Sequence, residues 1–245
     1  MRKILSVLIA VLFSNIAFSQ SVFNLCVEIN YDSIFSLDGK FFAVKQNGKW
    51  GVVKDKKQIV PCQYDGIDAL GDGVISFISN NKIGFVDTLG KVLIEPIYPV
   101  EKQTYREDKS QINIFDNGAC LVEVDGRYQL INKQNQQIIS QEYEITSRIG
   151  DAVAIKKDGK FGIANSKGKI VLYPQYLDIS VLIESKLYSY KQITTSGMPM
   201  FGLINGKGEI ISPATYADFG VYNGKEATYV KAYTEQGGQA LMNDE

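Results

Sequence analysis

The sequence predicts an all-β protein assembled from about six copies of one short repeat. Its clearest sign is a motif found five times along the chain: a turn, a cation, a large apolar residue, a glycine and two further apolar residues, with one departure at the glycine. A tyrosine follows each motif at a nearly constant distance, and the segments between these landmarks are rich in Val, Ile, Phe and Tyr, which favour strands. Each residue is therefore best interpreted by its place in the repeat.

The large apolar residue of the motif, called the anchor here, marks the period. Five anchors are separated by 33, 45, 33 and 40 residues: Trp50, Ile83, Tyr128, Phe161 and Phe201. The landmark tyrosines lie 14 or 15 residues further on: Tyr64, Tyr98, Tyr143, Tyr176 and Tyr216. A proline precedes the tyrosine in four copies: Pro61, Pro96, Pro174 and Pro213. The third copy departs, with Gln129 at the glycine position and Ser140 at the proline position.

The first complete copy predicts three short strands joined in an antiparallel meander, over 41–46, 49–54 and 58–64. Asn47-Gly48 lies between the first two, and this dipeptide tolerates the positive φ of a two-residue hairpin turn. The glycine after the anchor lacks a Cβ, so we expect a neighbouring backbone or ring to lie directly over it. Each proline cannot donate to a ladder and should end a strand or lie on a free edge.

The pattern resembles the WG-repeat family, named for a Trp-Gly pair that stands here as Trp50-Gly51, with Phe-Gly or Ile-Gly in other copies. The resemblance covers most of the chain after the N-terminal segment. It implies a repeat scaffold and no common reaction, so no catalytic residue is carried over from it.

The two ends of the repeat array suggest ring closure. Residues 31–34 match 64–67, as if the array began with the last third of a copy, and residues 226–242 resemble the first two strands of another copy. Together these fragments make a sixth unit, and a shared sheet would hide exposed strand edges in a propeller-like ring. An open β-solenoid or twisted repeat array is the alternative.

The N-terminus has the pattern of a signal peptide over residues 1–19. Arg2 and Lys3 precede an apolar run from Ile4 to Phe13, and Ala17-Phe18-Ser19 forms a small-x-small cleavage site. The apolar run is shorter than the roughly 20 residues that span a bilayer. We therefore expect a single repeat domain over residues 20–245, exported to the periplasm or the extracellular space, with no membrane insertion after cleavage.

Charge and residue types exclude several functions. The net charge is −1 and no block of like charges occurs, so nucleic acid is not an expected partner. The chain has no histidine, which removes Ser-His-Asp and Cys-His catalysis. Cys26, Cys62 and Cys120 lack metal-ligand spacing and are expected to be small, buried strand residues.

Two weak motifs do not fit the chemistry that they resemble. Residues 79–82 and 166–169 match Ser-x-x-Lys, but both straddle a predicted turn and not a helix. Asp65, Asp68 and Asp72 fit no calcium loop. The sequence thus predicts no catalytic residue, metal site or cofactor, and it leaves the binding residues unknown.

The leading hypothesis is a non-enzymatic scaffold of the bacterial cell envelope that mediates protein or glycan interaction. A lectin-like carbohydrate or small-molecule binding module is the alternative, and solvent-exposed anchors would favour it. A third candidate, a glycosidase with two facing carboxylates, is the weakest. Two insertions, around 102–117 and 180–199, are candidate recognition loops.

Overall fold

The computed structural model describes residues 31–100, 112–183, 186–223 and 228–243. The chain divides into two compact units, Met1–Asn30 and Tyr31–Glu245, and all described residues lie in the second. The predicted signal peptide, Cys26 and most of the first insertion lie outside the described residues. In the described ranges every regular element is a strand, and none of them contains a helix long and apolar enough to cross a membrane.

The described strands fall into six consecutive repeat units of antiparallel strands. Units 1 and 2 have four strands each: β1 Ser33–Ser36, β2 Phe41–Gln46, β3 Lys49–Lys54, β4 Lys57–Tyr64, then β5 Gly66–Gly71, β6 Val74–Ser79, β7 Lys82–Asp87 and β8 Val92–Pro99. Unit 3 has β9 Phe115–Asp116, β10 Ala119–Val124 and β11 Arg127–Asn132, and unit 4 has β12 Glu144–Ile149, β13 Ala152–Lys157, β14 Lys160–Asn165 and β15 Ile170–Tyr176. Unit 5 has β16 Asp178–Ile183, β17 Leu187–Ile193, β18 Pro199–Asn205 and β19 Ile210–Tyr216, and unit 6 has β20 Asp218–Asn223, β21 Thr228–Tyr233 and β22 Gln239–Asn243.

The all-β prediction is confirmed, but the three-stranded repeat is wrong. The complete unit has four strands, because the segment after each landmark tyrosine begins the next sheet. Residues 31–34, interpreted as the end of a copy, instead lead into β1, the first strand of unit 1. The three strands predicted for the first copy are present as β2, β3 and β4. Closure into a ring stays a prediction.

Apolar cores lie between consecutive units. Unit 1 packs Ala43 and Val52 against Ile75 and Phe77 of unit 2. Equivalent clusters join units 2 and 3, 3 and 4, and 4 and 5. Burying one Val, Ile or Phe side chain contributes roughly 1.5–3 kcal/mol. Each unit is therefore stabilised mainly by its neighbours in the chain, as the repeat predicted.

The motif glycine lies opposite a bulge in the fourth strand. In unit 1, Trp50 pairs with Tyr64 and Val52 pairs with Val60, so three residues face the single Gly51. A Cβ on Gly51 would lie 2.5 Å from the Val60 oxygen and 2.8 Å from the Cys62 nitrogen. The same register shift recurs in units 2, 4 and 5. The expected close approach of backbone over the glycine is therefore confirmed.

Each proline of the motif lies within this bulge, on the last strand of its sheet, which confirms the predicted edge position. Proline has no N–H to donate, and a bulge leaves the extra residues out of the ladder. The glycine and the proline therefore act together. The glycine leaves room for the bulged backbone, and the proline occupies a position that makes no ladder bond.

The turn before the fourth strand is held by a recurring polar side chain. Asn165 Oδ1 accepts hydrogen bonds of 3.0 Å from the backbone N–H groups of Lys167 and Lys169. Asp87, Asn132 and Asn205 make the same pair of bonds in units 2, 3 and 5. Such side-chain turns are a usual role for Asn and Asp. Unit 3 therefore keeps the turn that leads into a fourth strand.

Unit 3 forms only the start of a fourth strand. After the Asn132 turn Gln137 bridges to Ile131, flanked by backbone bonds from the Asn132 N–H to the Gln136 oxygen and from the Ile138 N–H to the Leu130 oxygen. Beyond this point β11 pairs with β12 of unit 4 through Tyr128 and Ile145. Units 3 and 4 consequently share a seven-stranded sheet. Because Gln129 has a Cβ where units 1, 2, 4 and 5 have glycine, the bulged strand cannot cross it as closely. The departure noted in the sequence thus has a structural counterpart.

The second insertion forms strands rather than one long loop. Of its described residues, 187–193 form β17, and the hairpin turn over 194–198 is longer than in the earlier units. From the first insertion, the described residues include Ile112, which bridges to Leu121, and the short strand β9.

We expect Gly51→Ala to destabilise the fold by about 1–3 kcal/mol, the usual cost of overpacking a core. The new Cβ would clash with rigid backbone of the bulge. Gly66→Ala is the matched control, because a Cβ there would meet only the flexible Ile78 side chain at 3.2 Å. Chemical denaturation of both variants measures the difference, and equal losses at the two positions would contradict the close-approach argument.

Candidate functional site

The landmark tyrosines and the anchors occupy different environments. Tyr64, Tyr98 and Tyr176 are buried in the cores, and burial raises the pKa of Tyr98 and Tyr176. Among the anchors Ile83 is buried, whereas the others are half-buried: Trp50, Tyr128, Phe161 and Phe201. Packing in the apolar cores therefore explains the burial of three landmark tyrosines. The four half-buried anchors remain partly accessible to solvent.

Lysines cover three of the half-buried anchors. The ammonium groups of Lys45, Lys156 and Lys191 lie 5.6, 5.2 and 5.1 Å from the ring centroids of Trp50, Phe161 and Phe201. Each lysine is the direct cross-strand partner of its anchor. Such cation–π contacts contribute about 0.5–1 kcal/mol at exposed sites. These three rings therefore do not form a bare aromatic stripe.

The turns between second and third strands are tied together where units 1 and 2 meet. Asp65, the residue after the landmark tyrosine, accepts a 2.5 Å bond from Lys49 Nζ and a 2.7 Å bond from the Asn80 N–H. Lys49 begins β3 of unit 1, and Asn80 lies in the corresponding turn of unit 2. Both bonds lower the pKa of the Asp65 carboxyl, and the bond from Lys49 has the larger effect. Asp65 therefore links the two turns at the junction of units 1 and 2.

The equivalent junction between units 3 and 4 is open. Arg127 is the counterpart of Lys49 and Glu144 the counterpart of Asp65, and both are exposed. A cleft of about 810 Å³ lies between the two turns, and its walls come from three segments: 124–129, 141–145 and 156–159, with Gln137 beside them. The cleft lies next to the incomplete fourth strand of unit 3.

Polar contacts order the cleft wall from unit 4. Lys157 Nζ donates a 2.6 Å hydrogen bond to Glu142 Oε2, and this bond raises the pKa of Lys157. The same ammonium lies 5.4 Å from the Tyr143 ring centroid. Gln141 donates to Gln137 at 3.3 Å, and Gln137 donates to the Ile139 carbonyl at 2.7 Å. The wall is thus partly preorganised before any ligand arrives.

The cleft offers charged and amide groups that can form hydrogen bonds. Its lining contains no Ser, Thr, Cys or His, and in the described part of the chain no group of His, Cys, Asp or Glu could hold a metal ion.

The two Ser-x-x-Lys segments lie in hairpin turns, as predicted. Asp72 accepts from the Gly118 N–H at 2.6 Å, so Asp65 and Asp72 link successive units.

Sequence reasoning did not predict the cleft residues. Tyr128 and Tyr143 were recognised as repeat landmarks, but Arg127, Gln141 and Glu144 were not singled out. The available signal was the double departure at Gln129 and Ser140, which marks the unit where the fourth strand is incomplete.

The geometry defines the protein as an all-β repeat protein of consecutive antiparallel units. Residues 23–50, 83–99 and 201–227 match the family model described as WG containing repeat. This match confirms the resemblance noted in the sequence, and three segments of the chain are similar to the WG repeat. A comparison with curated proteins gives no significant match.

Solved structures with partial likeness to this chain include three propeller-type proteins. TolB from Agrobacterium tumefaciens has 9% identity over 85% of this chain and 78% of its own, with a TM-score of 0.27. TolB from Acinetobacter baumannii has 8% identity over 83% and 60%, with a TM-score of 0.27. The WD40 domain of SCAP from fission yeast has 9% identity over 88% and 87%, with a TM-score of 0.24. Scores this low support no conclusion about closure or function.

Asp65→Asn should lower the melting temperature at neutral pH, because it removes the charge that Lys49 and the Asn80 N–H stabilise. The folded-state pKa of Asp65 lies below its usual value of 3.8. Its contribution is therefore fully present above that value and is lost as the pH falls through the folded-state pKa. Melting curves between pH 7 and pH 2.5 should show the difference between wild type and variant shrinking at the acid end.

Asp125→Asn is the control, because Asp125 is an exposed acid in the corresponding turn of unit 3. A pH-independent difference for Asp65→Asn, or the same effect in both variants, would show that Asp65 does not link the turns electrostatically.

Proposed function

We propose that this protein is a non-enzymatic, exported scaffold of the bacterial cell envelope that holds a protein or glycan partner in the cleft between units 3 and 4. The observation that carries the proposal is the position of the cleft. It lies at a junction where the repeat departs from both its glycine and its proline pattern. Recognition sites are commonly carried on irregular segments that a rigid scaffold positions.

The comparison of two junctions supports this choice. Between units 1 and 2, Asp65 uses its carboxylate on Lys49 and Asn80. Between units 3 and 4, the corresponding Arg127 and Glu144 are exposed on facing parts of an open cleft. Charged groups left accessible in a concave site are available to orient a ligand.

Export and the absence of catalysis complete the proposal. Export is supported by the signal-peptide pattern of residues 1–19. A non-enzymatic role is supported by the absence of histidine from the sequence and of serine, threonine and cysteine from the cleft lining. Closure of the six units into a ring belongs to the same proposal, because it would protect the strand edges of an exported protein.

A lectin-like module with equivalent pockets in several copies is the second candidate. Half-buried anchors favour it, but Trp50, Phe161 and Phe201 do not line the cleft, whereas Tyr128 does. The structure therefore favours one distinctive cleft over a row of equal sites.

The proposal predicts that the protein captures its partner through the cleft. The bait is the tagged chain from Gln20, incubated with envelope and cytosolic extracts of the producing cells. We expect Arg127→Ala/Glu144→Ala to reduce capture from envelope extract at least tenfold, which corresponds to about 1.4 kcal/mol. Both residues are exposed, so the variant should melt like wild type.

Lys82→Ala/Glu95→Ala is the matched control, because it removes the same charges from exposed positions in unit 2. Three results would overturn the proposal: the cleft variant still captures the partner, the control variant loses capture equally, or capture occurs only from cytosolic extract.

A further inference from the structure

The side chains that line the cleft indicate the chemical class of its ligand. Ten of the sixteen lining residues are charged or carry side-chain amides, and two more are glycines. The ten are Asp125, Arg127, Gln129, Gln137, Gln141, Glu142, Glu144, Lys156, Lys157 and Asp158. Planar amide, carboxylate and guanidinium groups offer donors and acceptors in fixed directions. The site is therefore built for a ligand with many hydroxyl or amide groups.

Charges in the cleft nearly cancel. Four lining carboxylates face three lining cations, and one of each is already joined in the Lys157–Glu142 ion pair. A concave site attracts a charged polymer when one sign of charge dominates its walls. This cleft has no such excess, so the structure favours an uncharged ligand over an acidic or basic polymer.

The apolar surface of the cleft is confined to a few side chains. Val124 and Tyr128 lie on the unit 3 side, and Tyr143 and the buried Ile145 lie on the opposite side. Protein partners usually insert aromatic or aliphatic anchors into well-packed, desolvated pockets. The large exposed apolar residues of the described chain, such as Leu89, Tyr173 and Leu241, lie outside this cleft. A protein partner therefore lacks an apolar pocket here.

The two tyrosines supply flat, half-buried surfaces beside the polar groups. Tyr143 is held in place by the Lys157 ammonium over its ring, and Tyr128 is packed against the core between units 3 and 4. Tyrosine combines an apolar ring with a polar hydroxyl, which suits ligands that have an apolar face and a polar rim. Sugar rings have this form, with axial C–H groups on one face and hydroxyls around the edge.

We propose that the cleft binds a neutral oligosaccharide, with sugar faces against Tyr128 and Tyr143 and hydroxyls bonded to Arg127, Gln141 and Glu144. This inference rests on the proposed function, since it names the ligand of the same cleft. The volume of about 810 Å³ lies within the roughly 300–1,000 Å³ of typical small-ligand sites. A short chain of sugar rings therefore fits the space.

Direct binding to defined sugars tests this inference. The full chain from Gln20 is titrated against maltotetraose, cellotetraose, chitotetraose and mannotetraose, with polygalacturonate as an acidic comparison. We expect at least one neutral sugar to bind, and Gln141→Ala and Tyr143→Ala each to weaken it at least tenfold. Gln141 is exposed, so its variant reports on binding even if Tyr143→Ala disturbs the fold.

Tyr173→Ala is the matched control, because Tyr173 is 69% exposed and lies outside the cleft. Neutral-sugar binding that survives Gln141→Ala, or that Tyr173→Ala weakens equally, overturns the inference. Binding of polygalacturonate alone also overturns it. If no sugar binds but extract capture still depends on Arg127 and Glu144, the sugar inference fails and the scaffold proposal stands. If neither binding occurs, both fail.

Discussion

The structure depends on one close contact, the passage of a bulged fourth strand over a glycine in the third strand. In unit 1 three residues of β4 face Gly51, and the Val60 oxygen comes within 2.5 Å of the point that a Cβ would occupy. Any side chain at that position would push the backbone of the neighbouring strand away. The proline in the bulge makes no ladder bond, so the displaced segment leaves no amide donor unsatisfied at that residue. Strand number in each unit therefore depends on a single small residue.

This constraint connects the repeat to the cleft. Unit 3 keeps the Asn132 turn but has Gln129 at the glycine position, and its fourth strand stops after the bridge of Gln137 to Ile131 and the bond from Ile138 to Leu130. β11 then joins β12, and the space beside this junction stays open. In a repeat protein, each unit is stabilised by its neighbours, so one unit can lose part of a strand while the array remains continuous.

Much of the fold could be predicted from the sequence, because its signals are local. Asn47-Gly48 predicted a hairpin turn that the structure contains, and the glycine and proline positions predicted close approach and edge location. The fourth strand was missed because residues such as 64–67 run directly from the end of one sheet into the start of the next. The sequence shows no break there, and the boundary is set by pairing between strands.

The cleft could not be predicted in the same way. Its walls come from separate segments, and its existence depends on a strand that is not completed. Gln129 and Ser140 were visible as departures, but only the register of β11 shows that their consequence is an opening. Likewise, the half-buried anchors could have formed an aromatic stripe, and the lysines that cover them are seen only across the strand pairs.

Amide hydrogen exchange of the intact chain tests the central claim most directly. If the glycine determines whether the whole fourth strand forms, ladder amides in β4, β8, β15 and β19 should exchange slowly, while residues 139–142, which follow the last bond to β11, should exchange at least tenfold faster. Protection of residues 139–142 equal to that of the four strands would contradict the account, because it would mean that unit 3 completes its fourth strand despite Gln129.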